Sequence, residues 1–371
     1  MPESQPLRIA TYNLWNSPEN WPQRLAAAAE ELSSLDADVV ALQEAPVDAA
    51  DGLPLAEYLR QQTRYPHVLH LPYPGPADKR EWREGLAFLS QLPLRDTFTN
   101  WYGDQNTENC WAVRVVFQWQ GVAFGLTNVH LDWRHAASRE RHIVKIVREV
   151  IDPDNVDVDL DILCGDFNDD GDAPILQYLE GQTELHGHRL RKTRWHDLVA
   201  EWHAARGEQP PVTLDFKQNP RWKPKQIAAP SKRFDRIYAR AYGDRVSPRV
   251  VRAGLFGKAP TNSLGLVPSD HYGVFVDLSI GVEPVGGGQP RFRGVRPAFP
   301  PPGPNALRAL PEPENAGQPA PEQADQQPRQ PDGHAHSTAR EQQHHRPGER
   351  QRDRELRQRS LEDGGRAAAP P

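Results

Sequence analysis

No stretch restricts this chain more than Asp161–Asp170, DILCGDFNDD. Ile162, Leu163 and Cys164 form a short apolar run closed by Gly165, the pattern of a buried strand meeting a turn. Asp166 and Asn168 follow two residues apart, so an extended backbone turns both the same way. A carboxylate accepts a proton or holds a cation, and a carboxamide beside it donates hydrogen bonds to an anionic oxygen. The pair therefore suits the attack of water on phosphorus. Taken alone, an Asp/Asn turn after a strand explains it more simply. Four further polar clusters, each at the end of an apolar run, argue for the chemical reading.

The first is Asn13, at the end of a strand expected over Leu7–Leu14. A helix follows from Pro22 to Leu35, with Leu25, Ala28, Leu32 and Leu35 at helical spacing. Asp38–Gln43 then reads as a buried strand with Glu44 directly after it. A carboxylate there is costly unless hydrated, paired or bound to metal. Beside Asn13 on a neighbouring strand, a cation ligand is the better reading of Glu44 than a cap. GLAFLSQLPL gives another strand, after a Pro-rich loop. Ala112–Trp119 and Val122–Val129 form a hairpin about Gln120-Gly121, and the second strand leads to His130. A lone histidine is more often structural than catalytic. The helix after it carries Arg139 and Arg141, which face either a ligand or solvent.

Short helices are expected at Ala173–Leu179 and Trp195–Ala205, the second with Leu198 and Trp202 turned inward. Lys217, Arg221, Lys223, Lys225, Lys232 and Arg233 then surround Trp222. Basic residues interleaved with an aromatic can follow a phosphate backbone while a base stacks on the ring; a solvated loop with a packing tryptophan accounts for them as well. Arg233–Ala239 alternates as a strand, with Phe234, Arg236 and Tyr238 on one face and Asp235 on the other beside Ile237. A carboxylate there needs a partner. Asp270-His271, ahead of the strand YGVFVDL, supplies one.

Composition divides the 371 residues near Ile280. Beyond it Pro, Gly, Gln, Glu, Arg and Ala dominate, and Phe292 and Phe299 are the only aromatics. Such a segment cannot bury enough surface to offset its ordering entropy. One globular domain over 1–280 and a disordered tail over 281–371 are expected. The net charge of −6 belongs to the globular part, because the tail's acids and bases nearly cancel. It argues against indiscriminate nucleic-acid binding and leaves room for a local basic groove. Two cysteines, Cys110 and Cys164, make no disulfide framework and point to a reducing compartment. Neither a signal peptide nor a membrane span is legible, so a soluble cytoplasmic protein is expected.

Asn13 in TYNLWN, Glu44 in LQE, His130 in NVHL, Asp166 and Asn168 in GDFN, and Asp270-His271 in PSDH stand in an order that resembles the endonuclease/exonuclease/phosphatase superfamily, over about Leu7 to Leu278. TLDFKQN, RFDRIYAR, PSDHYG and AASRERHI are most similar to its type-2 (5′) tyrosyl-DNA phosphodiesterase branch. Trp15 stands where that branch usually carries a second acidic metal-site residue, and Trp133 where a small Ser is typical. The resemblance implies an α/β sandwich, in which two packed, largely antiparallel β-sheets are flanked by helices.

It also implies hydrolysis of phosphodiesters. Glu44, Asn13 and Asp270 would hold Mg²⁺ or Mn²⁺, since oxygen ligands favour a hard cation. Asp166 would deprotonate the attacking water. Asn168 and His130 would donate to phosphoryl oxygens, and His271, oriented by Asp235, would act there as an imidazolium. Arg139, Trp222 and Lys223 are the candidate substrate contacts, with single-stranded DNA ends as the candidate partner. A small phosphoester such as an inositol phosphate or lipid headgroup, and an inactive binding module, remain as alternatives.

Overall fold

The computed structural model describes residues 5–49, 52–73, 84–101, 111–152, 158–190, 194–242, 245–261 and 265–282. Within these, twelve strands and five α-helices follow one another. They run β1 (Leu7–Asn13), α1 (Trp21–Leu35), β2 (Val39–Pro46), α2 (Leu55–Gln62), β3 (His67–Pro72), β4 (Glu84–Ser90), β5 (Arg95–Trp101), β6 (Trp111–Trp119) and β7 (Val122–His130). Next come α3 (Ala136–Lys145), β8 (Leu160–Asp166), α4 (Pro174–Leu179), β9 (His196–Asp197), α5 (Leu198–Ala204), β10 (Asp235–Ala241), β11 (Val246–Phe256) and β12 (Gly273–Val282).

The strands form two six-stranded sheets, ordered β11-β12-β1-β2-β4-β3 and β5-β6-β7-β8-β10-β9. Each sheet has one parallel pair near its centre, β1 with β2 and β7 with β8; the remaining pairs are antiparallel. The inner faces meet in one core, where Ile9, Val39 and Phe88 pack with Phe124, Ile162, Cys164 and Ile237. Helices α1 and α2 cover the outer face of the first sheet, with Leu25, Leu32 and Leu59 against Val40 and Leu89. Helix α3, its wider π-helical continuation over Ile146–Ile151, and α4 cover the second, with Ile143, Val147 and Ile175 against Leu163 and Tyr238. Sheets buried on both sides explain why β2 and β8 read as nearly continuous apolar runs. This is the expected α/β sandwich.

The structure amends several details of the sequence reading. Glu44 lies inside β2 rather than after it. Residues His196–Asp197 pair with β10 as a two-residue strand, and the helix begins only at Leu198, where Asp197 accepts a hydrogen bond from Ala200 N at 3.0 Å. Trp202 is half-buried on the surface of α5 beneath the Arg206 guanidinium, not turned into the core. The first sheet continues two residues beyond Ile280, through Gly281 and Val282. The rest of the expected tail, most of the Pro-rich loop before β4 and Cys110 lie outside the described residues. No helix among the described residues is long and apolar enough to cross a membrane.

Candidate active site

The two parallel pairs end at the same edge of the sandwich, and the polar residues sit there. Asn13 closes β1, and Glu44 lies at a register shift in the β2–β4 pairing. Its φ of 49° is left-handed. A bulge of this kind bends the strand and re-aims a side chain. In the second sheet His130 ends β7, Asp166 ends β8 and Asp235 begins β10, and the three are register partners across neighbouring strands. Gly165 allows them to come together: its φ is 135°, and a side chain there would collide with the Val129 carbonyl. Asp270 and His271 arrive in the turn ahead of β12.

Asn13, Glu44, His130, Asp166, Asp235, Asp270 and His271 are all buried. The Asn13 amide donates to Glu44 Oε1 at 3.2 Å and to Asp166 Oδ2 at 3.0 Å, joining the sheets. His130 Nε2 stands 3.8 Å from Glu44 Oε1 and 3.9 Å from Asp166 Oδ2. His271 Nε2 stands 4.0 Å from the same Asp166 oxygen, while its Nδ1 bonds Asp235 Oδ2 at 2.8 Å. Asp270 is brought beside Asn13 through Ser269, whose Oγ donates to the Asn13 carbonyl at 2.7 Å. Asn168 is half-buried; its backbone N–H donates to Asp166 Oδ1 at 2.8 Å and its amide to the Leu131 carbonyl at 2.9 Å. One of its two amide hydrogens is therefore engaged before any ligand arrives.

Burial pushes the Asp166 pKa up, and the neighbouring Asp235 carboxylate pushes it further, against the pull of His271 and His130. Burial by itself would lower the His271 pKa, but Asp235 outweighs it, with Asp166 and Asp270 adding to the same side. The imidazole is held up to about 10.

Four buried carboxylates against two imidazoles leave an excess of negative charge, and Asp235 Oδ1 has no hydrogen-bond partner. That donor set fits a hard divalent cation. Among the described residues the trio with ligand atoms within 4.8 Å of one another is Asp166, Asp235 and His271. This differs from the set expected from sequence. An imidazole bonded through Nδ1 to a carboxylate and held protonated is a poor ligand; of the expected oxygens, Asn13 Oδ1 accepts from Trp15 N at 2.9 Å and Glu44 Oε2 from Asn16 N at 2.9 Å.

A cavity of about 340 Å³ opens beside Asn168, Asp270 and His271, walled by Trp133, Trp222, Phe234 and Leu214, with Arg139 and Lys232 contributing cations. Arg139 is buried and fastened, its Nε to Asp169 at 2.9 Å and its Nη1 to the Asp132 carbonyl at 2.9 Å. Arg141 is exposed. Trp222 lies edge-on to Phe216 and donates its indole N–H to the Asp270 carbonyl at 2.9 Å, so it both packs and lines the cavity. Lys223 is exposed on the one-turn helix Lys223–Lys225. Trp15 is buried beside the site, with the Arg24 guanidinium 4.5 Å from its ring centroid.

Sequence reasoning missed several buried polar residues that support this edge. Thr213 Oγ1 accepts from Asp235 N at 3.1 Å, and Asn219 bonds the carbonyls of Ser269 and Asp270. Gln43 bonds Asn128 at 2.7 Å, bridging the sheets behind Asn13. Thr213 and Asn219 lie in the TLDFKQN segment that carried part of the resemblance; nothing in sequence marks Gln43.

A family model described as Endonuclease/Exonuclease/phosphatase family matches residues 10–271. No curated relative matches the chain by sequence. Among solved structures the chain is similar to D. rerio TDP2 complexed with a single-strand DNA product, 18% identical, covering 74% of this chain and 99% of that one with a TM-score of 0.55. It is similar also to truncated Caenorhabditis elegans TDP2, 17% identical, covering 74% and 97% with a TM-score of 0.51. A mannosyl-6-phosphatase of Bacteroides thetaiotaomicron VPI-5482 is 17% identical, covering 73% and 99% with a TM-score of 0.51. At these identities the likeness is one of fold.

Proposed function

This chain belongs to the endonuclease/exonuclease/phosphatase family of phosphoesterases, and we propose that it hydrolyses phosphodiesters with a bound Mg²⁺ or Mn²⁺, at nucleic-acid ends. The observation that carries the reading is the surrounding of one oxygen, Asp166 Oδ2, by the Asn13 amide at 3.0 Å and the ring nitrogens of His130 and His271 at 3.9 and 4.0 Å. A base is thereby ringed by groups that donate to an oxyanion.

Asp166 takes a proton from water, and the oxygen left behind attacks phosphorus in line with the departing ester oxygen. A carboxylate whose pKa is raised by burial is the stronger base for that step. His271, kept protonated by Asp235, and His130 donate to the phosphoryl oxygens as charge grows on them. Asn168 contributes its second amide hydrogen. Glu44, Asn13 and Asp270 would hold the cation, which would supply positive charge against the charge that grows in the displacement.

Two features support nucleic acid. Arg139 and Lys232 line the cavity walled by Trp133 and Trp222, and exposed Lys225 stands 3.9 Å from the Trp222 ring centroid, a combination suited to a strand whose bases stack and whose phosphates pair. The neighbour from D. rerio, similar in fold, was solved with a single-strand DNA product. A small phosphoester is the second reading, favoured by a cavity of only about 340 Å³ beside His271. A panel of 5′-phosphotyrosyl DNA, abasic duplex, single-stranded RNA and inositol phosphates, each with Mg²⁺ and with EDTA, tests the choice. Cation-dependent release of tyrosine from the DNA is expected. Turnover of inositol phosphates alone would transfer the assignment to the second reading.

A further inference from the structure

We propose that Arg24 and Asn219 are positioning residues that grip the turn carrying Asp270 and His271 and hold it in register with Asn13. The inference rests on the reading of this edge as the active site. The turn Val267–His271 precedes β12 and has no helix or strand of its own, yet it must place two site residues. It is held by its carbonyls. Val267 O accepts from Arg221 Nε at 3.2 Å and Nη2 at 3.0 Å, and Pro268 O accepts from Arg24 Nη1 at 2.9 Å. Ser269 O accepts from Asn219 Nδ2 at 3.2 Å, and Asp270 O accepts from the same nitrogen at 3.1 Å and from Trp222 Nε1. Four consecutive carbonyls thus accept from side chains.

Arg24 and Asn219 are the two of these four residues with no exposed surface. A guanidinium has five N–H donors in a fixed fork, and those of Arg24 meet five backbone carbonyls. Besides Pro268 these are Glu19 at 2.7 Å, Leu14 at 3.2 Å, Trp15 at 3.0 Å and Ser17 at 2.7 Å. None of these acceptors is a carboxylate. Burial draws the Arg24 pKa down to about 10, opposed first by the attraction of Asp270. Burying a cation against carbonyls and the rings of Trp15 and Trp21, with no carboxylate bonded to it, is an expensive way to fill space, and an aliphatic side chain would do that at lower cost. What the fork achieves is to tie the Leu14–Glu19 loop, which leaves Asn13, to the residue two before Asp270. Asn219 closes the opposite side, its Oδ1 accepting from Arg221 N at 2.9 Å. His271 N donates in turn to Ser269 Oγ at 3.1 Å, so the imidazole inherits the placement of the gripped turn.

Arg24→Lys keeps the charge and loses the fork. Misplacement of catalytic groups by an ångström reduces turnover by on the order of 10²-fold. A kcat loss of that size is expected for Arg24→Lys on an aryl phosphodiester, with KM little changed, and a comparable loss for Asn219→Ala. Arg24→Gly should regain turnover on addition of guanidinium chloride and not of ammonium chloride. Hydrogen exchange gives a readout independent of activity. In Arg24→Lys the amides of 14–19 and 267–271 should lose protection together, while those of β1 and β12 keep theirs. Exchange rising in only one segment, or protection falling across both strands, overturns the proposal. So does a kcat loss accompanied by an equal rise in KM. If the wild type turns over no phosphodiester, the reading of the site fails, and the paired exchange alone decides whether the two residues grip the turn.

Discussion

Asp166 and Glu44 share the amide of Asn13 but stand on different sheets, and substitution should separate their roles. Asp166→Asn keeps the shape and cannot accept the proton, so turnover should vanish while the melting temperature hardly moves; activity within a few-fold of wild type would remove Asp166 as the base. Glu44→Gln should instead raise the Mg²⁺ concentration needed for half-maximal activity. The pH profile carries a further expectation. Turnover needs Asp166 ionised, and its pKa is raised, so the acid limb should lie above the ordinary carboxylate value of about 4. Turnover also needs His271 protonated, so the alkaline limb should fall near pH 10. An acid limb at the ordinary value would contradict the base assignment. At this scale the sequence was informative where a polar residue ends a buried strand, as at Asn13, His130 and Asp166. Glu44 was displaced by its bulge, because a left-handed turn inside an apolar run leaves no composition signal.

The elements that build the site are central strands, and those were legible because both faces are buried and most of their residues are apolar. Strands β3, β5 and β11, which form three of the four sheet edges, were not recognised, and the fourth, β9, was taken into a helix. Edge strands tolerate charge and proline, as the arginines and Pro248 of β11 show, and so lose the pattern that reveals them. The Lys217–Arg233 segment also proved to be more than a solvated loop: Asn219, Arg221 and Trp222 bind the turn at Asp270, while Lys223 and Lys225 are exposed. That division sharpens the test for nucleic acid. Replacing Lys223 and Lys225 should flatten the dependence of log affinity on log salt by about 0.7 per lost contact with a single strand. Trp222→Ala should weaken the same binding by roughly 1–3 kcal/mol if a base stacks there, and should also slow a small aryl phosphodiester, because Asp270 loses a donor. An unchanged salt slope would move the assignment to a small phosphoester.

Across the whole molecule, each sheet contributes half the site: Asn13, Glu44, Asp270 and His271 from the first, His130, Asp166, Asn168 and Asp235 from the second. The ordered motifs resembled a known family because they mark this one edge, and the packing of the sheets makes them neighbours although Asn13 and Asp166 are far apart in sequence. The residues beyond Val282 supply no apolar pattern, so a chain ending there should melt cooperatively and retain full turnover; aggregation of the shortened protein would contradict that division. The proposed hydrolysis is a single in-line displacement by water that Asp166 deprotonates. It is tested most directly by the configuration at phosphorus after hydrolysis of a chiral phosphorothioate diester in isotopically labelled water. Inversion, with the label on phosphorus, is the predicted result. Retention would require a covalent intermediate on the protein, and it would contradict the account, as would the absence of any turnover.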